Sequence, residues 1–267
     1  MQTIVEAISH EKETTESMLI QTERELMGEK EKSQIAEKLK EAFLQNISHE
    51  LRTPLNGLLG FANILSSSQL NDYQKRGFYQ LIFKSSRRFL DIMGEIIELS
   101  RIQSGDIKYQ KNTCCSARDI INELYLYYTE EKEILDRSNI EIRINEKEND
   151  LIFFSDLSKI KQILGHIIQN GLKFTEKGYI EIDFKQDGGY IVFLIKDTGI
   201  GIPIEKQDFI FKAFEKLENN QVKFFPGVGV GLTIAKFLTN SLGGDIRFES
   251  AYENGSVFYI SFPLLNN

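Results

Sequence analysis

The chain has 267 residues, of which 41% are hydrophobic and 27% are charged, and its formal net charge is -7. This length allows two domains, and the composition is ordinary for a globular protein. The acidic balance excludes a general nucleic-acid surface, because such a surface needs clustered cations. No apolar run approaches the roughly 20 residues that span a bilayer, so membrane attachment is expected only through segments absent from this chain. The adjacent Cys114 and Cys115 predict neither a disulfide framework nor a zinc site.

The first predicted element, residues 1–42, is a long signalling helix that pairs weakly in a coiled coil. The segment contains no proline, has Gly28 as its single glycine, and is rich in Glu, Lys and Gln. A freely solvated charged helix is the alternative. The apolar residues that fall near one heptad register are Val5, Ile8, Leu19, Leu26, Ala36 and Phe43.

The sequence pattern of residues 43–105 predicts a helical hairpin. Its first helix runs to about Leu65, and a polar break at residues 66–69 separates it from the second helix. The second helix starts at Asn71 or Asp72 and stops near Gly105. One hairpin cannot cover the apolar stripes of both helices, so we expect a homodimer that forms a four-helix bundle.

After Gly105 the pattern changes, and residues 106–267 alternate helical and strand-like stretches. Several strand-like stretches alternate apolar and polar residues, which predicts a sheet with one face covered by helices. The predicted fold class is therefore α+β, a helical hairpin followed by an α/β sandwich. Helical patterns cover about 116–135, 157–173 and 229–242, and strand patterns cover 140–144, 179–184, 190–195, 245–248 and 257–262.

Three segments of this second region carry groups that suit a nucleotide. Asp197 to Gly201 reads DTGIG after a strand, so its backbone can approach a ligand closely and Asp197 can accept a hydrogen bond from an exocyclic amine. Gly227 to Leu232 reads GVGVGL and leads into a helix, whose first N–H groups favour phosphate. Asn170 and Lys173 share a helical face and suit a hard cation and a phosphate. Each segment alone also fits an ordinary turn or a solvated face.

In this order, with Ile210–Phe214 between the last two motifs, the segments resemble the Bergerat-type ATPase fold. That fold is shared by histidine kinases, DNA gyrase, heat-shock chaperone ATPases and mismatch-repair ATPases. The resemblance implies that ATP binds with Mg²⁺ on Asn170, a phosphate on Lys173 and the adenine amine on Asp197. It also implies that residues 212–228 form a mobile lid. The loop residues that it places around the nucleotide are Gly199, Gly201, Gly227, Gly229, Gly231 and Leu232.

Residues 43–55 read FLQNISHELRTPL and closely resemble the H box of sensor histidine kinases. The resemblance implies that His49 is the phosphoacceptor and that Thr53 helps to place a water that hydrolyses the phosphorylated partner. Neutral imidazole is nucleophilic near pH 7, and Glu50 can accept the ring proton as general base. A zinc-protease interpretation fails, because residue 53 is Thr where a second His ligand is required. Residues 98–105 resemble the junction between hairpin and ATPase domain in the same family.

The resemblance implies a protein histidine kinase that passes the phosphoryl group to an Asp of a response-regulator receiver domain, and that can dephosphorylate this partner. His166 departs from the pattern, because the family usually has Asn four residues before Asn170. This leaves open a dimeric scaffold or phosphatase that binds ATP weakly. A plain ATPase is a third alternative, against which the H box argues. We expect the chain to be the cytoplasmic portion of a larger, membrane-anchored bacterial sensor.

Overall fold

The computed structural model divides into two compact units, Met1–Ser48 and His49–Asn267. In the first unit, residues 26, 27, 30, 41 and 44–48 are helical, and the rest of the predicted coiled coil lies outside the described residues. The structure describes residues 26–27, 30, 41, 44–66, 69–110, 113–135, 137–145, 150–212 and 229–264.

The second unit begins with the two helices of the hairpin, α1 at residues 49–66 and α2 at Asp72–Ser104. A capping box starts α2: the side chain of Asn71 accepts a hydrogen bond from the backbone N–H of Gln74, and the side chain of Gln74 accepts one from Asn71. Gly105 ends the helix with a left-handed φ of 71°. The predicted start and stop of this helix are confirmed.

The remainder of the second unit alternates strands and helices, and the predicted elements are confirmed to within a few residues. Strands β1 and β3 and the one-turn helix α5 were not predicted. In chain order the elements are β1 (Thr113–Ser116), α3 (Ala117–Ile134), β2 (Ile140–Ile144), β3 (Ile152–Ser155), α4 (Leu157–Phe174), β4 (Gly178–Asp187), β5 (Tyr190–Asp197), α5 (Ile204–Gln207), α6 (Gly231–Ser241), β6 (Asp245–Ser250) and β7 (Ser256–Pro263).

Five of the strands form one sheet in the order β2-β4-β5-β7-β6. The β2–β4 pair is parallel and the other pairs are antiparallel, while β1 and β3 form a separate antiparallel pair. Along β7, buried residues alternate with partly exposed ones, as expected for a sheet with one covered face. Phe184, Phe193 and Phe262 fill the core from the covered face.

Helix α4 is the most deeply buried helix of this region. It starts at Asp156, whose side chain accepts a hydrogen bond from the backbone N–H of Lys159. A Cβ at Gly165 would lie 2.9 Å from the hydroxyl of Tyr128, so this glycine lets α3 approach α4 closely. The apolar face of α4 is almost fully enclosed and consists of Ile160, Ile163, Leu164, Ile167, Ile168 and Leu172.

The part of the chain that the structure describes contains no helix with both the length and the apolar character needed to cross a membrane.

Candidate functional site

Asp197 ends strand β5 and is buried, with 8% of its surface exposed. Its Oδ1 accepts a hydrogen bond from the backbone N–H of Gly199 at 2.9 Å. Burial raises the pKa of this carboxyl, and hydrogen bonds from the backbone of Gly199 and Ser256 oppose that rise. A buried carboxylate at a strand end can accept a hydrogen bond from the amine of a bound base.

The glycines that follow Asp197 cannot carry side chains without moving the backbone. A Cβ at Gly199 would lie 2.7 Å from the carbonyl oxygen of Phe174. Gly201 has a φ of 66°, and a Cβ there would lie 2.0 Å from the carbonyl oxygen of Ala251. The DTGIG segment is therefore a tight turn packed on the end of α4.

Thr175, the residue directly after α4, belongs to the same site. It is fully buried, and among the described residues its Oγ1 has no hydrogen-bond partner. A Cβ at Gly199 would lie 2.9 Å both from this hydroxyl and from Oδ1 of Asp197, so the two polar groups border one space. A buried hydroxyl without a partner is rare, and a bound base would supply one. Sequence reasoning missed Thr175, although it directly follows the helix that carries Asn170 and Lys173.

Helix α4 carries the predicted Asn170 and Lys173 on its partly exposed edge. The ammonium of Lys173 lies 4.9 Å from the ring centroid of Phe174. His166 lies one turn before Asn170, and its Nδ1 is 3.3 Å from where a Cβ of Gly231 would be. Within the described ranges Nε2 of His166 is buried without a hydrogen-bond partner. Burial lowers the pKa of His166 to about 4, so its imidazole is neutral at pH 7.

Helix α6 begins at Gly231, within the predicted helical stretch 229–242. Gly231 and Leu232 therefore form its first turn, and Gly229 precedes it with a φ of 80°. The N-cap is Val230, which has no side chain able to accept a hydrogen bond from the first N–H groups. Such a helix start favours an anion, because its N–H groups point outward. His166 borders this glycine loop, at the position where the resemblance leads us to expect Asn.

The segment between the two glycine motifs is described only in part. The ring centroids of Phe211 and Phe248 are 5.8 Å apart, and Oγ1 of Thr233 donates a hydrogen bond to the carbonyl oxygen of Phe211 at 3.1 Å. Residues 213–228, which include Gly227 and nearly all of the predicted lid, lie outside the described residues.

The predicted phosphoacceptor His49 is exposed on α1, and its carbonyl oxygen accepts a hydrogen bond from Oγ1 of Thr53 at 3.1 Å. Glu50 is 2% exposed, and its Oε2 accepts a hydrogen bond from Nη2 of Arg88 in α2 at 2.8 Å. Successive helix residues point in different directions, so His49 faces outward while Glu50 faces the second helix. Sequence reasoning missed Arg88.

Helix α2 also contacts the α/β region through charged side chains. Arg87 forms an ion pair with Glu131 of α3 at 2.7 Å, and Lys159 of α4 forms one with Glu98 at 2.7 Å. Burial raises the pKa of Glu95 to about 7, and the charge of Lys173 is the largest influence that opposes the rise. The predicted hairpin and the predicted nucleotide region thus meet along α2.

Two family models match the chain in the regions just described. The His Kinase A (phospho-acceptor) domain matches residues 39–105, and the histidine kinase-, DNA gyrase B- and HSP90-like ATPase matches residues 155–266. A phosphoacceptor hairpin joined to this ATPase domain is the domain pair of sensor histidine kinases. The chain belongs to the sensor histidine kinase family.

Relatives and solved structures agree with this assignment. The signal transduction histidine-protein kinase BarA of Escherichia coli K12 is 33% identical over 268 residues, which cover 98% of this chain and 28% of BarA. Full-length ShkA in complex with AMPPNP has a TM-score of 0.60 and 25% identity, over 84% of this chain and 46% of ShkA. ThkA in complex with the response regulator TrrA shares the fold, with a TM-score of 0.59 and 23% identity over 83% of this chain and 61% of the other. The chain spans between 12% and 32% of the length of the first curated relatives it matches.

The substitution Arg88→Ala removes the guanidinium that binds the buried Glu50. We expect it to lower the free energy of unfolding by about 1–3 kcal/mol, because a buried carboxylate loses a charged hydrogen-bond donor. Urea unfolding followed by circular dichroism measures the loss. Arg76→Ala, at an exposed arginine of the same helix, is the control and should change the stability by less than about 0.5 kcal/mol. Equal stability of the two variants would contradict the proposed ion pair.

Glu95 makes the stability depend on pH in a direction that follows from its pKa of about 7, against 4.5 as the ordinary value. Below pH 4.5 the carboxyl is protonated in both the folded and unfolded states, and no penalty exists. As the pH rises through 7, the folded state loses a stabilisation on the order of 3 kcal/mol, because it resists ionisation. Gln cannot ionise, so Glu95→Gln removes this loss. The free energy of unfolding of the variant relative to the wild type should therefore rise by about that amount between pH 4.5 and 8.

The quantity to compare is the difference in free energy of unfolding between variant and wild type at each pH, since other groups titrate equally in both. Glu130→Gln, at an exposed glutamate of α3, is the matched control and should give a difference that is flat with pH. A flat difference for Glu95→Gln as well would refute the burial of Glu95 against the α/β region.

Proposed function

We propose that this chain is the catalytic core of an ATP-dependent protein histidine kinase. The proposal rests on one juxtaposition: an exposed His49 on a hairpin helix, in the same chain as a buried Asp197 beside an uncapped glycine-loop helix. In this proposal residues 1–42 are a signalling helix, residues 43–105 are the dimerisation and phosphotransfer hairpin, and residues 106–267 are the ATP-binding domain.

The nucleotide would be held by residues from three elements. Asp197 would accept a hydrogen bond from the adenine amine, and the hydroxyl of Thr175 would complete the base pocket. The first N–H groups of α6 and the ammonium of Lys173 would bind phosphate. The amide oxygen of Asn170 would bind Mg²⁺, which supplies positive charge against the triphosphate. The glycines of the two loops fit this role, because side chains there would occupy the approach of the ligand.

His49 would act as the nucleophile. An unprotonated ring nitrogen attacks the γ-phosphorus of ATP, the bond to the bridging oxygen breaks, and ADP leaves. Glu50 would accept the proton of the imidazole ring as general base. Because Arg88 holds Oε2 of Glu50, the transfer uses the other carboxylate oxygen or follows opening of this pair. Arg88 is in this view a positioning residue for the base.

The phosphoryl group would pass from His49 to an Asp of a response-regulator receiver domain. The likeness to ThkA, which was solved in complex with the response regulator TrrA, supports this class of partner. Thr53, one turn after His49, would place the water that hydrolyses the phosphorylated partner.

A second copy of the chain would complete the hairpin as a four-helix bundle. Large apolar side chains of both helices are exposed in the single chain, which supports a homodimer. Mass measured by light scattering across a dilution series tests this: a dimer is expected, and a monomer at all concentrations would contradict it. The exposed side chains are Leu55, Leu59, Ile64, Tyr79, Leu81, Phe83, Leu90 and Ile97.

Autophosphorylation tests the proposed activity directly. The wild type is incubated with γ-labelled Mg²⁺–ATP and then treated with acid or alkali. We expect label that is lost in acid and kept in alkali, because the phosphorus–nitrogen bond hydrolyses when the ring is protonated. His49→Gln should abolish the label, and Asp197→Asn should reduce it by about 100-fold, in line with loss of one buried charged hydrogen bond.

His10→Gln is the matched control, since it removes a histidine outside the hairpin and should label like the wild type. The scaffold or phosphatase function is the second candidate, and the neutral His166 against Gly231 is the observation that favours it. Absence of label together with absence of ATP binding would replace the kinase by that function, and His166→Asn would then be expected to restore binding.

A further inference from the structure

The side chain of Gln207, in the short helix α5, joins the DTGIG turn to strand β6. Its Nε2 donates one hydrogen bond to the carbonyl oxygen of Ile202 and another to the carbonyl oxygen of Ser250, each at 3.0 Å. Ile202 directly follows the DTGIG motif, and Ser250 is the last residue of β6. Because an amide nitrogen carries two protons, both donors of this side chain are used in holding the two segments together.

The hydroxyl of Ser250 holds the same turn from the sheet. Its Oγ accepts a hydrogen bond from the backbone N–H of Ile202 at 2.8 Å and donates one to the carbonyl oxygen of Gly255 at 2.8 Å. It also lies 3.0 Å from Oγ of Ser256. Since the single proton of Ser250 goes to Gly255, Ser256 is the donor in this contact. The hydroxyl of Ser250 therefore uses its donor and both of its lone pairs.

This network reaches the carboxylate that the proposed function assigns to adenine. Ser256 is paired with Asp197 across strands β7 and β5, and a hydrogen bond from its backbone opposes the rise in the pKa of that carboxyl. A Cβ at Gly255 would lie 2.1 Å from the carbonyl oxygen of Asp197. The backbone N–H of Glu253 donates a hydrogen bond to the carbonyl oxygen of Ile200 at 2.7 Å. The turn between β6 and β7 thus packs directly on the strand end and on the DTGIG motif.

We infer that Gln207 and Ser250 are positioning residues for the base-binding turn, which they hold in the geometry that recognises adenine. The inference rests on the proposed function of Asp197. Both side chains act through the turn rather than on the nucleotide itself. Without the donor of Gln207, two backbone carbonyl oxygens lose a hydrogen bond, and a turn that shifts cannot keep the carboxylate aligned with the amine of the base. The effect falls on the base end of the nucleotide, since the phosphates are assigned to α6 and Lys173.

The test is Gln207→Met, which removes the donor, keeps the length of the side chain and adds no charge. Dissociation constants of the full chain are measured by calorimetry for ADP and for a non-hydrolysable ATP analogue, both with Mg²⁺. We expect both constants to rise by the same factor, about tenfold.

Gln186→Met is the matched control, because it makes the same substitution at an exposed glutamine whose amide also donates to a backbone carbonyl, that of Gly188. Gln186 pairs with Ile191, at the opposite end of β5 from Asp197, so this variant should bind both nucleotides like the wild type.

Base selectivity separates positioning from a general loss of stability. GDP has a carbonyl where adenine has its amine, so it gains no hydrogen bond to Asp197 at that position. In Gln207→Met and in Ser250→Ala the ratio of the GDP to the ADP dissociation constant should therefore fall about tenfold. A merely structural role would weaken both nucleotides equally and leave the ratio unchanged, which would overturn the inference. Circular dichroism confirms that each variant is folded at the temperature of the titration.

Two further outcomes would also overturn the inference. One is wild-type affinity and selectivity in both variants while Asp197→Asn weakens ADP, which would leave the base site intact without these residues. The other is a larger loss for the ATP analogue than for ADP, which would place the effect of Gln207 at the phosphates. Absence of nucleotide binding in the wild type would instead remove the proposed function, and the inference with it.

Discussion

The packing of helix α4 on the five-stranded sheet determines where every other functional group lies. Six aliphatic side chains of this helix are enclosed almost completely, which removes a large apolar area from water and fixes the rotation of the helix. With that rotation fixed, Asn170 and Lys173 must point away from the core. The end of the helix in turn brings Thr175 next to Asp197 across the tight turn at Gly199. The packing of the apolar face of α4 thus fixes the positions of its polar side chains.

The polar edge of α4 meets carboxylates of the hairpin helix α2. Lys159 forms an ion pair with Glu98, and burial raises the pKa of Glu95. The same hairpin helix binds Glu50, the neighbour of His49, through Arg88. One helix therefore contacts both the predicted nucleotide region and the phosphoacceptor segment.

Local patterns in the sequence were sufficient to predict the hairpin and most of the sheet. Asn71 and Gly105 mark the ends of α2 because caps act within a few residues. Strands β1 and β3 have four residues each, too few for an alternation to be visible. The contacts between Glu50 and Arg88 and between Glu98 and Lys159 join residues 38 and 61 positions apart, and no local pattern encodes such pairs. The site residues were predicted from their motifs, whereas the side chains that contact them became visible only in the folded chain.

The central claim, that Asn170 and Lys173 of α4 and the two glycine loops hold the nucleotide, is tested most directly by paramagnetic broadening. Amide signals of an isotope-labelled sample are compared with Mn²⁺–ATP and with diamagnetic Mg²⁺–ATP. The account predicts that the signals of Asn170 and Gly231 broaden while those of Tyr73 and Gly77, in the first two turns of α2, do not. Unchanged signals of Asn170 and Gly231 would contradict the account.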